Sequence, residues 1–141
     1  MTISTTTIKN SYSGNGSTSV FNYTFKITDD DDIQVIIRSS SGTETIKTKT
    51  THYTVSGVGN SSGSITFTSG NIPANGETVV LRRVTPQTQG MDLIENDPLP
   101  AETLENAFDK VTSIVQELQE QLDRSIKVSK TATITTPEIT D

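Results

Sequence analysis

The segment VFNYTFKITDDDDIQVIIR, residues 20–38, carries the clearest structural signal in the sequence. Apolar and polar residues alternate on both sides of the acidic run Asp29–Asp32, which is the period of strands with one buried face. The acidic run and the SSSG segment at 39–42 both have the composition of turns. We therefore expect strands at 20–27 and 33–38 that form a hairpin or a meander.

The same alternation continues outward from this segment. Further short strands, separated by connectors rich in Gly, Ser and Asn, are predicted at 43–49, 52–55, 64–68 and 78–85. A weaker strand is predicted at 3–9, with Ile8 as its best core candidate. Because turns rather than helices join these strands, the sequence predicts a small antiparallel β-sandwich or barrel.

From Pro100 the spacing of apolar residues becomes helical. These residues lie alternately three and four positions apart over about three heptads, which is the pattern of a coiled-coil seam. The predicted oligomerisation residues, comprising the seam and one neighbour, are Ala101, Leu104, Phe108, Val111, Ile114, Val115, Leu118 and Leu122. Pro100 suits the first position of a helix, and Glu102 and Glu105 complement its positive end. We expect a helix from about 100 to 127.

The flanks of the seam predict how the helix associates. Charged residues lie almost wholly at the outer heptad positions, whereas the flanking positions are mostly neutral and two of them, Ala107 and Ile114, are apolar. An apolar stripe wider than a dimer seam favours three or more helices, or one edge lying on a sheet. The predicted organisation is a β-domain at 1–90, a linker at 91–99, a coiled-coil helix at 100–128 and an extended tail at 129–141.

Composition narrows the classes of function. The chain has 141 residues, which is the size of one ordinary domain, and a hydrophobic fraction of 30%. It contains no Cys and a single His, so a disulfide framework and a Cys or His metal cluster are excluded, and no cofactor is expected. The net charge of −6 argues against nucleic acid as a partner. No apolar run is long enough to predict a membrane span or a signal peptide, so we expect synthesis in the cytoplasm.

The sequence contains only weak candidates for a catalytic or metal-binding site. Gly59–Gly63 fits the G-x-S-x-G pattern of a hydrolase, but a strand rather than a helix is expected after it, and His52 would be the only available base. Asp29–Asp32 could collect a hard cation, although a solvated turn is the preferred interpretation. Arg82 and Arg83 point to opposite faces of one strand, and they are candidates either for contact with a partner subunit or for pairing within the fold. We expect no enzymatic activity.

The order of these features resembles the N-terminal domain of T7-like phage tail fibres. The resemblance covers about residues 8–128, and its matching segments are YSGNGS at 12–17, FNYTF at 21–25, DIQV at 32–35, YTVSG at 53–57, GNSSG at 59–63, LRRVT at 81–85 and the helix at 100–124. It implies a structural domain of the virion that anchors a homotrimeric fibre to the tail, with adaptor and nozzle proteins as partners.

The resemblance leaves two points open. Tail fibres of this kind continue into a shaft and a receptor-binding tip, whereas this sequence ends at Asp141. It is therefore either a fragment of a longer fibre or an anchor on which a downstream fibre or adhesin docks. The alternative function is a receptor- or glycan-binding adhesin module of a phage tail.

Overall fold

The computed structural model describes residues 3–93, 95–96, 98–127 and 129–131. Within these residues the regular elements are the strands β1 (Lys9–Ser13), β2 (Val20–Tyr23), β3 (Ile33–Arg38), β4 (Glu44–Ile46), β5 (Tyr53–Ser56), β6 (Gly63–Phe67) and β7 (Thr78–Arg83), and the helix α1 (Ala101–Asp123). One turn of 3-10 helix, Asp30–Asp32, precedes β3.

The strands form two antiparallel sheets. The four-stranded sheet has the order β1-β7-β3-β4, and the three-stranded sheet has the order β2-β6-β5. Their inward-facing residues form one hydrophobic core, and the strands of the described residues do not close into a barrel. The predicted fold of antiparallel sheets followed by a C-terminal helix is confirmed, with the sandwich rather than the barrel as its form.

The alternation seen in the sequence selects the core. Phe21 and Tyr23 of β2 alternate with exposed residues, and they lie opposite Ile65 and Gly63 of the neighbouring β6. The Phe21 and Phe67 rings meet edge to face with centroids 5.8 Å apart, a geometry that adds to the stabilisation from burial. Val79 and Leu81 and the inward residues of β3 close the core from the other sheet.

The predicted hairpin or meander formed by 20–27 and 33–38 is wrong, and of the segment 20–27 only Val20–Tyr23 is a strand. β2 pairs with β6 in one sheet, whereas β3 pairs with β4 and β7 in the other. The alternating pattern specifies which face of a strand is buried but not which strand pairs with it. Here the chain leaves β2 after Tyr23 and crosses to the other sheet, and the buried Lys26 of this crossing segment faces the helix.

Other boundaries also shift. The early strand lies at Lys9–Ser13 instead of 3–9, with Ile8 buried just before it, and it pairs with β7. The helix is slightly shorter than predicted, Ala101–Asp123. Of the predicted tail 129–141, residues 132–141 lie outside the described residues. Among the described helices, none combines the length and the apolar character that a membrane crossing requires.

Candidate oligomerisation interface

The helix α1 begins and ends by ordinary backbone rules. Pro100 is its N-cap, with an extended backbone, and Glu102 in the first turn complements the helix dipole. At the other end the backbone N–H of Arg124 donates to the carbonyl of Glu120. Along the length of α1, one side carries buried polar residues and the opposite side carries exposed apolar residues.

One face of α1 packs against the β-sandwich, and this face is polar. Its buried residues are Asp109, Ser113 and Glu117, spaced four apart so that they lie in one row. We call these three residues the docking face. In the heptad Asp109 and Glu117 occupy outer positions, where charges are usually solvated, but the structure buries both because cations of the β-domain approach them.

The first anchor of the docking face is Asp109. The ammonium of Lys26 lies 2.9 Å from its Oδ2, and both side chains are almost fully buried. Its Oδ1 accepts a hydrogen bond of 3.1 Å from the backbone N–H of Ile3. Asp109 thus fixes the N-terminal segment and the β2–β3 crossing to the same point of the helix.

The second anchor is Glu117, which pairs with Arg83 of β7. The guanidinium Nε lies 3.2 Å from Oε1, and the Arg83 side chain is 1% exposed. The same carboxylate accepts a 2.7 Å bond from the hydroxyl of Thr85 and a 3.0 Å bond from its backbone N–H. Burial lowers the pKa of Arg83, and the hydrogen bond that Arg83 donates to Glu117 partly offsets this effect.

A third carboxylate, Glu120, lies at the edge of the docking face. Its Oε1 lies 3.3 Å from the ammonium of Lys9 and 2.6 Å from the Nε of Arg124. Its Oε2 lies 3.6 Å from a terminal nitrogen of Arg82. The hydrogen bond from Arg124 is the main cause of the lowered pKa of Glu120, with a further contribution from Lys9 that burial opposes.

The opposite face of α1 is apolar, and the residues that the structure describes leave most of it exposed. At 100° per residue it is centred roughly 180° from the docking face. We call Leu104, Phe108, Val111, Val115, Leu118 and Leu122 the apolar stripe. In the single chain Phe108 is 64% exposed, Val111 and Val115 are 59% exposed, Leu122 is 55% exposed and Leu118 is 44% exposed.

Leu104 at the N-terminal part of the stripe and the two predicted oligomerisation residues that flank the stripe, Ala101 and Ile114, differ in exposure. Ala101 is exposed at the N-terminal end of the stripe, and Leu104 and Ile114 are half-buried. Beside them the segment 87–91 forms one wall of a shallow groove, in which Met91 and Ile114 lie. All eight predicted residues therefore lie on or beside one uncovered face.

This arrangement reverses the usual amphipathic helix, whose apolar face packs on its own domain. Buried ion pairs add little net stability, because desolvation offsets the attraction, but removal of one partner is costly. The docking face therefore fixes the position and register of α1, while the described part of one chain leaves most of the apolar stripe exposed. A contiguous row of exposed apolar side chains marks an interaction surface.

The structure places the two candidate arginines differently. Arg83 is buried against Glu117 of its own chain, as in the alternative of pairing within the fold. Arg82 lies on the outer face of the same sheet near Glu120, and its contact with a partner subunit stays a prediction. The alternation of β7 puts Arg83 on the same inward side as Val79 and Leu81. Because a buried cation needs a carboxylate partner, this position could have indicated the ion pair from the sequence.

The hydrolase pattern has a structural explanation. Gly59–Gly63 lies between the paired strands β5 and β6, so no helix follows the serine. A Cβ at Gly63 would lie 2.2 Å from the Tyr23 hydroxyl, so Gly is required there for packing. His52 accepts a hydrogen bond from the backbone of Thr48 through Nδ1.

The acidic run is occupied by structural contacts. Asp29 caps the turn and Asp32 is buried, with its carboxylate accepting from the Thr28 hydroxyl at 2.9 Å. The ammonium of Lys49 contacts the carboxylates of both Asp30 and Asp31. The hydrogen bond from Lys49 is the main cause of the lowered pKa of Asp30. A lysine of the fold thus supplies positive charge at the candidate cation site.

Fold and site together define a small β-sandwich that carries a helix with an uncovered apolar face. The chain is similar to the tail spike protein of Salmonella phage epsilon15, with 38% identity over 134 residues. The match covers 90% of this chain but 12% of that protein, so the chain spans a small part of its relative's length. A comparison with protein-family models finds no match. The similarity supports a phage tail protein and suggests a structural component of the virion.

Proposed function

We propose that this chain is the tail-attachment part of a phage fibre or spike, and that three copies associate through α1. In this proposal it corresponds to the N-terminal domain of T7-like tail fibres and binds adaptor and nozzle proteins of the tail. The observation that carries the proposal is the apolar stripe, which lies opposite the docking face and is left uncovered by the β-domain.

The geometry supports helices packed around a common axis. With the stripes turned inward, each β-sandwich would lie outside the bundle, held to its own helix by Asp109 and Glu117. Ala107 and Ile114 flank the stripe as half-buried apolar residues, which favours three helices over two. Sister copies would then cover Phe108 and Val111, whose exposure in one chain is unfavourable.

Attachment is assigned to the β-domain. A trimer presents three identical β-domains to the tail, and linkage of three weak contacts strengthens the overall binding without any new contact. The proposal requires no catalytic step in this chain. Its similarity to a tail spike protein supports the tail as the place of attachment.

The test is reconstitution on phage particles that lack this polypeptide. We expect the purified trimer to cosediment with these particles, at a number of copies per particle that is a multiple of three. A variant monomeric through changes in the apolar stripe is the matched control and should bind far more weakly. Absence of cosedimentation by a well-folded trimer would overturn the attachment role, even if the oligomeric state is correct.

A further inference from the structure

A second surface, separate from the apolar stripe, lies on the outer face of the four-stranded sheet. It is an open groove bordered by the end of α1, with Ile36 and Val80 half-buried between the charged residues. Its charged residues are the cations Lys9, Arg38, Arg82 and Arg124 and the carboxylates Glu44 and Glu120. We call this surface the cationic groove.

The charge of the cationic groove differs in sign from that of the chain. Four of the eleven Lys and Arg residues converge here against two carboxylates, although the whole chain has a net charge of −6. Glu120 is already shared between Lys9 and Arg124, with Arg82 3.6 Å away. The excess positive charge therefore attracts an anionic partner.

Two of these arginines have unused capacity for hydrogen bonds. The Nε of Arg82 is buried and has no hydrogen-bond partner among the residues that the structure describes. The Arg82 side chain as a whole is 20% exposed and borders the groove, so a carboxylate that enters the groove interacts with its positive charge. Arg38 lies opposite Glu44 in the β3–β4 register, yet within the described part of the chain no ion pair joins the two.

We propose that the cationic groove binds an acidic, extended segment of a protein partner. Carboxylates of such a segment would contact Arg38 and Arg82, and its aliphatic side chains would lie on Ile36 and Val80. An open groove with alternating cationic and apolar contacts suits an extended peptide better than a small inorganic anion. The choice of a protein partner rests on the proposed attachment to the phage tail.

The experiment measures binding of fluorescent probes to the full chain at low and at moderate salt. The probes are a decaglutamate peptide, a decaglutamine peptide as the neutral control, and an oligogalacturonate as an anionic carbohydrate. We expect decaglutamate to bind, and Arg38→Glu to weaken its binding by about tenfold or more, because a charge-assisted contact becomes a repulsive one. Lys130→Glu makes the same change of net charge at an exposed site outside the groove and should leave binding unchanged.

Each other outcome overturns the proposal. Equal weakening by Arg38→Glu and Lys130→Glu would mean that net charge, and not the groove, attracts the peptide. Tighter binding of oligogalacturonate than of decaglutamate would assign the groove to carbohydrate, and an absence of binding to any probe would remove the site. Sedimentation of the same samples reports the oligomeric state separately, so failure of the groove is distinguishable from failure of the trimer.

Discussion

Replacement of Val111 and Leu118 by Asp in one chain is expected to convert the trimer into a monomer. Both residues belong to the apolar stripe, and they are 59% and 44% exposed in the single chain. Burial of the exposed half of each side chain contributes about 0.8–1.5 kcal/mol, half of the value for a whole side chain. Over six side chains in a trimer the loss is about 5–9 kcal/mol, before the added cost of desolvating the carboxylates.

That loss corresponds to a decrease of about four to six orders of magnitude in the association constant. Sedimentation velocity is the assay, since one chain has a mass of 15.2 kDa and three chains have about 46 kDa. The far-ultraviolet circular dichroism of the β-domain should be largely kept, because neither residue belongs to the docking face.

The matched control is the double variant Thr103→Asp and Asn106→Asp. Both residues are exposed on α1 outside the stripe, and the variant adds the same charge. It should sediment as the wild type does. A Val111→Asp and Leu118→Asp variant that stays trimeric would refute the assignment of the seam, and so would a control variant that dissociates to the same extent.

Four other predictions follow from the contacts described above. Glu117→Gln should lower the free energy of unfolding by about 3–5 kcal/mol in chemical denaturation, because the buried Arg83 loses the carboxylate that is paired with it; an unchanged midpoint would contradict this. Because the pKa of Glu120 is lowered in the folded state, its stabilising contribution is present above the ordinary pKa of the carboxyl and is lost as the pH falls through the lowered value. Glu120→Gln should therefore reduce the acid dependence of thermal unfolding, and an identical dependence would be evidence against these contacts. Gly63→Ala should destabilise the β-domain by about 1–3 kcal/mol, since its Cβ would overlap the Tyr23 hydroxyl, whereas wild-type stability would show that Tyr23 moves aside without cost. On a glycan array the isolated chain should give no specific signal, and reproducible binding would favour the adhesin alternative.

The β-domain could be predicted largely from local pattern. Alternation within VFNYTF, residues 20–25, puts Phe21, Tyr23 and Phe25 on one face of a strand, and all three are buried. The pairing of β2 with β6 could not be predicted in this way, because partner choice depends on contacts between residues distant in the sequence. The crossing at Lys26 has no local signal either, since an isolated Lys at an outward position is usually solvated.

For the helix too, the sequence pattern predicted local features but not the contacts with residues distant in the sequence. Its apolar periodicity correctly located the stripe, and its length was predicted within a few residues. The row Asp109, Ser113 and Glu117 was also visible at helical spacing, but a polar row ordinarily faces water. Its role as the docking face depends on Lys26 and Arg83, which lie far away in the sequence and reach the helix only through the fold.

The most direct test of the account is sedimentation equilibrium of the unmodified chain over a wide range of concentrations. Because the β-domain leaves the apolar stripe uncovered, we expect a trimer of about 46 kDa, three times the chain mass of 15.2 kDa, that dissociates only at high dilution. A chain that stays monomeric at 15.2 kDa at every concentration, with α1 fully helical by circular dichroism, would contradict the central claim.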